Sequence, residues 1–214
     1  MKVSKIMTRN PVFTHPELSL TGARSLMDKE KIGHLLVLNK DNDLVGLVTR
    51  ADLIKAGPSP ATSLDVYEIG YLLSKLTVEK VMEKKVVTVE ENEVVEEAAR
   101  IMADNGIGCL PVLNGSLLTG IITDTDIFHF FINAYGARHK GIRITINFKE
   151  KLGQFAAFAG VVAERGGNIV AFVTSEGDDV AHRRATIKIT GISRAAVEEA
   201  AGTLDGAEIE DIRE

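Results

Sequence analysis

The sequence predicts an α/β (α+β) chain built from two tandem units of β-α-β-β-α order and a small C-terminal domain of β-α-β-β-α-β order. Three observations carry this prediction. A long stretch near the front returns 75 residues later with its chemistry intact. Each copy holds a helix-period apolar stripe followed by short apolar runs of strand length. Beyond about residue 140 the pattern changes to alternating runs separated by two further helical stripes.

The repeat begins with KIM at 5–7 and KVM at 80–82, continues with Ala23 and Met27 against Ala98 and Met102, and then pairs IGHLLVL at 32–38 with IGCLPVL at 107–113. GLVTRAD at 46–52 matches GIITDTD at 120–126 at a shift of 74, because the turn before it differs by one residue. Residues 3–56 and 78–131 are therefore two copies of one unit, which gives domains at 1–56 and 78–136 joined by a linker at 57–77.

In each unit Leu20, Ala23 and Met27, or Val95, Ala98 and Met102, recur at helical spacing and predict one buried stripe. A strand follows, and Asn114-Gly115 between two apolar runs predicts a tight hairpin, since both residues tolerate positive φ. The first unit uses the longer polar turn NKDND instead. Each unit then closes with Gly-x-x-Thr-x-x-Asp and a second helix. Thr49 with Asp52, and Thr123 with Asp126, fit a capping box that satisfies orphan donors at a helix start. The same position favours an anion, so a cap and a phosphate site can share residues.

Between the units, GPSP at 57–60 predicts a break, and Tyr67, Tyr71, Leu72 and Leu76 fit one face of a linker helix. That face suits either packing within the pair or a dimer surface. In the last third, 140–214, IRITINF alternates as a strand, and Phe155, Phe158, Ala159 and Val162 mark a helix that Gly166-Gly167 ends. IVAFVT and RRATIKIT follow as strands, Ser193 is a candidate cap for the next helix, and AEIEDIR closes as a strand. The order is a split βαβ, ferredoxin-like arrangement.

A net charge of -5 and a pI near 5.6 exclude broad binding to nucleic acid or an anionic membrane surface, both of which need a positive field. Cys109 is the single cysteine, and the opening MKVSKIMTRNP lacks the apolar core of a signal peptide. A cytoplasmic protein is expected. The five histidines are scattered with no metal-ligand spacing, and no P-loop, nucleophile elbow or Gly-x-Gly-x-x-Gly is present. No catalytic residue and no metal ligand is therefore assigned. Glu90, Glu91, Glu93, Glu96 and Glu97 suit a solvated helix start, and His182-Arg183-Arg184 suits an anion site or a polar turn.

The doubled set KIMTRNPV/KVMEKKVV, IGHLLVL/IGCLPVL and GLVTRAD/GIITDTD resembles a tandem pair of CBS domains, over about 130 residues. The resemblance implies a non-enzymatic regulatory module whose cleft holds AMP, ADP or ATP, or else S-adenosylmethionine or a dinucleotide. It implies that Asp52 and Asp126 take ribose hydroxyls and that Thr49 and Thr123 reach phosphate. The adenine slot would come from the segments 10–14 and 85–89, with Val12, Thr14, Val87 and Val89 as their candidate residues, and from the middle strands around Gly33-His34 and Gly108-Cys109. Ile32, Leu35, Ile107 and Leu110 beside them suit plain core equally well, and which wall faces which motif is open. Arg50 in the first motif would support a polyphosphate, whereas Asp124 in the second would repel one, if both face the ligand.

LGQFAAFAGVVAERGGNIVAF resembles an ACT domain, which implies edge-to-edge pairing into a homodimer and an amino-acid ligand near Leu152, Gly153, Gln154, Asn168 and Ile169. Lys149-Glu150-Lys151-Leu152 departs from the acid and proline many members carry there. Two CBS units followed by an ACT-like unit are similar to the acetoin-utilisation regulatory proteins, which implies a regulated protein partner.

Overall fold

The computed structural model describes residues 1–57 and 65–214, so the predicted break at GPSP falls, beyond Gly57, outside the described residues. The chain divides into two compact units, Met1–Ile127 and Phe128–Glu214.

In the first unit a 3-10 turn at Val3–Lys5 leads to β1 (Thr8–Arg9), β2 (Phe13–Thr14), α1 (Leu20–Glu30), β3 (His34–Leu38), β4 (Leu44–Thr49) and α2 (Arg50–Lys55). After α3 (Val66–Lys75) and a second 3-10 turn at Val78–Lys80 come β5 (Val89–Glu90), α4 (Val95–Asn105), β6 (Cys109–Asn114), β7 (Leu117–Thr123) and α5 (Asp124–Ala134). The division between the two compact units falls within α5.

Local chemistry sets these limits. Ser19 caps α1 by accepting from the Gly22 N–H at 3.1 Å, and α4 ends at Gly106 in the left-handed conformation, φ 62°. Both expected stripes are buried. The second hairpin is offset by one residue from expectation: Asn114 is the last strand residue, paired with Leu117, and Gly115 alone supplies the positive φ. Tyr67 and Tyr71 on α3 are exposed, while the Leu72 side chain lies outside the described part.

The strands form a three-stranded sheet, β2-β3-β4, and a four-stranded sheet, β1-β7-β6-β5. β1 thus joins the sheet of the other repeat, with Thr8 opposite Ile121 and Arg9 opposite Gly120. The exchange extends to the starts of both repeats. Val3 and Met7 pack with Val89, Ala98, Met102, Leu110, Val112 and Ile122, whereas Val78 packs with Leu20, Ala23, Met27, Leu35, Val37 and Val48. Backbone bonds fix each crossing, from the Val3 N–H to Glu93 O and from the Val78 N–H to Leu18 O, both at 2.8 Å. A third cluster of Leu36, Cys109 and Ile121 joins the faces of the two sheets.

The Phe128–Glu214 unit contains β8 (Ile142–Lys149), α6 (Gln154–Glu164), β9 (Asn168–Glu176), β10 (His182–Thr190), α7 (Arg194–Ala201) and β11 (Glu208–Arg213). Its antiparallel sheet has the order β11-β8-β10-β9, a split βαβ arrangement with β10 between β8 and β9. Ile142, Ile144, Ile146, Phe148, Ile187 and Ile189 alternate along their strands to bury one face against Phe158, Val162 and Val197 of the helices. Ser193 caps α7 as expected, accepting from the Ala196 N–H.

Candidate functional site

The two Gly-x-x-Thr-x-x-Asp motifs sit at strand-to-helix junctions with the same geometry. Thr123 donates from both Oγ1 and its backbone N–H to Asp126 Oδ2, each at 2.8 Å, and the Asp126 N–H donates to Thr123 Oγ1 at 3.3 Å. Thr49 and Asp52 repeat the pattern at 2.7, 2.9 and 3.2 Å. The residue between closes the junction: the Arg50 N–H donates to Gly33 O at 3.0 Å and the Asp124 N–H to Gly108 O at 2.9 Å. Each motif is therefore a complete capping box tied to the strand start in front of it.

The glycines of the motifs accept the exchanged starts. A Cβ on Gly120 would lie 2.7 Å from Met7 Sδ and 2.8 Å from Thr8 O, and one on Gly46 would strike the Met82 side chain. Glycine is needed there for space rather than for its φ.

A cleft of about 420 Å³ opens between the repeats, in the size range of small-molecule sites. One wall comes from the first repeat: Thr8, Asn10, Pro11 and Val12, with Lys31, Ile32, Gly33 and His34. The other comes from the second repeat: Ile121, Thr123, Asp124 and Thr125. The wall of one copy thus faces the motif of the other, a choice the sequence leaves open. Asn10 (φ 49°) and Lys31 (φ 55°) are non-glycine residues held in the left-handed region on this wall.

Gly108, His34 and Asp124 converge at the inner end. A methyl on Gly108 would lie 3.2 Å from Asp124 Oδ2 and 3.6 Å from His34 Nε2. Burial holds the His34 pKa below its ordinary value, outweighing the pull of the Asp124 and Asp52 charges in the other direction. Burial likewise pushes the Cys109 thiol up to about 12, with Asp124 adding to it.

The other expected residues divide by environment. Thr14, Val89 and Cys109 are buried, and Val87 packs partly buried beside the core of the second repeat. Thr49 and Asp52 form their own box and do not line this cleft, although Thr49 pairs across the strands with His34. Arg50 turns the other way, with Nε on Ile32 O at 3.1 Å, Nη2 on Met27 O at 3.0 Å and Nη1 on Asp28 at 2.5 Å. It therefore closes the C-terminal end of α1 and is not among the residues lining this cleft. Thr8, Lys31, Ile121 and Thr125 went unassigned from sequence, whereas Asn10 and Pro11 lie in the segment 10–14 expected to help form the adenine slot.

In the C-terminal unit Leu152 is fully exposed and Gly153 (φ 82°) precedes α6. Gln154 is buried, its amide donating to Lys149 O and accepting from the Asp205 N–H. Asn168 and Ile169 start β9. His182 pairs with Asp179, Arg183 with Glu150, and Arg184 with Asp178 and Glu210. Among the described residues, no group of three or more His, Cys, Asp or Glu could hold a metal, and no helix is long and apolar enough to cross a membrane.

The family model for the CBS domain matches residues 3–59 and 78–133, more than half of the chain. The chain belongs to the CBS-domain family. Its CBS pair is similar to that of protein MJ0100, solved in complex with 5′-methylthioadenosine and S-adenosyl-L-methionine: 27% identity, 65% of this chain, 98% of that one, TM-score 0.52. A putative acetoin utilization protein (AcuB) from Vibrio cholerae is 30% identical over 64% of this chain and 95% of that one, TM-score 0.53. An uncharacterised Methanocaldococcus jannaschii protein, MJ1404, is 33% identical over 132 residues, 60% of this chain. The chain spans 31% of the length of MJ1404 and 23% of that of the L-aspartate semialdehyde sulfurtransferase of the same organism, 28% identical over 130 residues.

Proposed function

We propose that this CBS pair is a non-enzymatic sensor that binds an adenine-containing ligand in the cleft between its repeats and passes the bound state to a partner protein. The observation that carries the reading is the cleft itself: a wall with a flat glycine step at Gly33 from one repeat faces Thr123, Asp124 and Thr125 from the other. The adenosyl compounds in the MJ0100 complex support an adenosine ligand, and AMP, ADP, ATP and dinucleotides belong to the same class. Asp126, with Oδ2 engaged by Thr123, would present its remaining oxygen to the ribose diol, an acceptor-only partner for two hydroxyl donors. Thr49 and Asp52 would serve a second site with Val87, Val89, Gly108 and Cys109. Binding would regulate by differential affinity for two conformations, since equal affinity shifts nothing.

In the same proposal the C-terminal unit is an ACT-like domain. It pairs edge to edge into a homodimer through an exposed strand, with Leu152, Gly153, Gln154, Asn168 and Ile169 beside a second small ligand. The protein works in the cytoplasm, and the likeness to the AcuB structure points to acetoin or related carbon metabolism as the regulated process. A second reading rests on the closed capping boxes, which need no ligand to be satisfied: a CBS pair that serves as a scaffold alone. Native purification followed by denaturation and mass spectrometry of the released small molecules separates the two. An adenine compound, with an upward melting shift when it is added back, is expected. No release and no shift with any adenine compound would leave the scaffold.

A further inference from the structure

Resting on the reading that the cleft takes an adenosine moiety, we propose that it selects neutral or cationic adenosyl compounds and discriminates against nucleotide di- and triphosphates. Two independent features of the cleft carry this inference.

The first is the state of the helix-start donors. A helix N-terminus binds phosphate through N–H groups that are free to point at it. At the start of α5 the N–H of Thr123 is given to Asp126 Oδ2, that of Asp124 to Gly108 O, and that of Asp126 to Thr123 Oγ1. The Thr123 hydroxyl proton also goes to Asp126. A phosphate arriving here would have to break the box before gaining these donors.

The second is charge. Of the side chains lining the cleft, Asp124 carries a negative charge and Lys31 a positive one, while burial keeps His34 in its neutral form. The arginine that stands at the matching place in the first repeat, Arg50, does not line the cleft: its guanidinium is spent on the carbonyls of Met27 and Ile32 and on the Asp28 carboxylate. A polyphosphate brings several negative charges against a wall with one lysine and one carboxylate. A thioether or sulfonium tail brings none, or a positive charge that Asp124 favours.

The test is calorimetric titration of the full chain with 5′-methylthioadenosine, S-adenosylmethionine, AMP and ATP, on wild type, Asp124→Asn and Asp124→Ser. Both variants keep the Thr123–Asp126 box, and their melting curves check the fold. The proposal expects the neutral and cationic compounds to bind at least about tenfold tighter than ATP, and the variants to narrow that gap by about tenfold. ATP binding as tightly as the thioether, or a gap unchanged in both variants, overturns the selectivity and leaves the adenosine reading standing. Failure of all four compounds to bind overturns the adenosine reading itself and the selectivity with it.

Discussion

Replacing Gly120 by alanine tests whether the N-terminal turn is seated against the second repeat as described. The new Cβ would lie 2.7 Å from Met7 Sδ and 2.8 Å from Thr8 O, both well inside contact distance. Thr8 is held in the β1·β7 ladder opposite Ile121, so its carbonyl cannot swing aside without breaking that pairing. Overpacking of this kind costs about 1–3 kcal/mol. The lower chain entropy of alanine in the unfolded state returns about 0.4–1 kcal/mol, which leaves a net loss of up to about 2.6 kcal/mol, centred at about 1.3. For a chain of this length that is a fall in Tm of up to roughly 10 °C, centred at about 4 °C. Gly46→Ala is the internal control. The three atoms nearest its Cβ all belong to the Met82 side chain, and a methionine with three rotatable bonds yields more cheaply, so the loss should stay under about 1 kcal/mol. Thermal and urea denaturation measure all of these. A Gly120→Ala protein as stable as the wild type would refute the seating of the N-terminal turn against the second repeat.

Arg50→Ala should destabilise the protein by about 1–2 kcal/mol through loss of the bonds to Met27 O and Ile32 O, and leave the ratio of ATP to adenosine affinity unchanged; urea denaturation and calorimetry read the two effects. Because burial lowers the His34 pKa below 6.5, the unfolded chain takes up that proton first as pH falls. The stabilising contribution is therefore complete above pH 6.5 and declines below it until the folded imidazole titrates, with a slope of at most about 1.4 kcal/mol per pH unit. His34→Asn should flatten that part of the Tm-against-pH curve. Cys109, 2% exposed and with its thiol pushed up to about 12, should react with a thiol-specific reagent at pH 8 only as fast as the chain unfolds, and fully once denaturant is added.

Periodicity and repetition made most of the fold legible. The stripes Leu20-Ala23-Met27 and Val95-Ala98-Met102 face the cores, and the strand and helix order of all three segments follows the alternation read from the residues. The exchange of Val3 and Met7 for Val78 was not legible. A tandem repeat carries the same apolar residues in both copies, so either start fits either core by pattern alone. The hairpin at Asn114 is offset by one residue for a related reason: the pairing of Asn114 with Leu117 is decided by register across the whole β6·β7 ladder and not by the turn dipeptide. The charge contrast between Arg50 and Asp124 was plain in the sequence, but its direction was not. The side chain of an N-terminal helix residue can reach either the ligand side or the neighbouring helix, and the free carbonyls at the end of α1 decide the matter for Arg50.

Gly33 offers the most direct test of a ligand cleft between the repeats. It lines the cleft, its φ is ordinary, and a Cβ added there meets nothing within 4 Å, so a larger side chain fills ligand space without disturbing the protein. The measurement is calorimetric titration of wild type and Gly33→Leu with whichever adenosine compound binds the wild type, alongside their melting curves. The variant should keep its stability to within about 1 kcal/mol of wild type and lose binding at this cleft, read as fewer ligands bound per chain. An unchanged isotherm in Gly33→Leu, or a wild type that binds no adenosine compound, would contradict this reading.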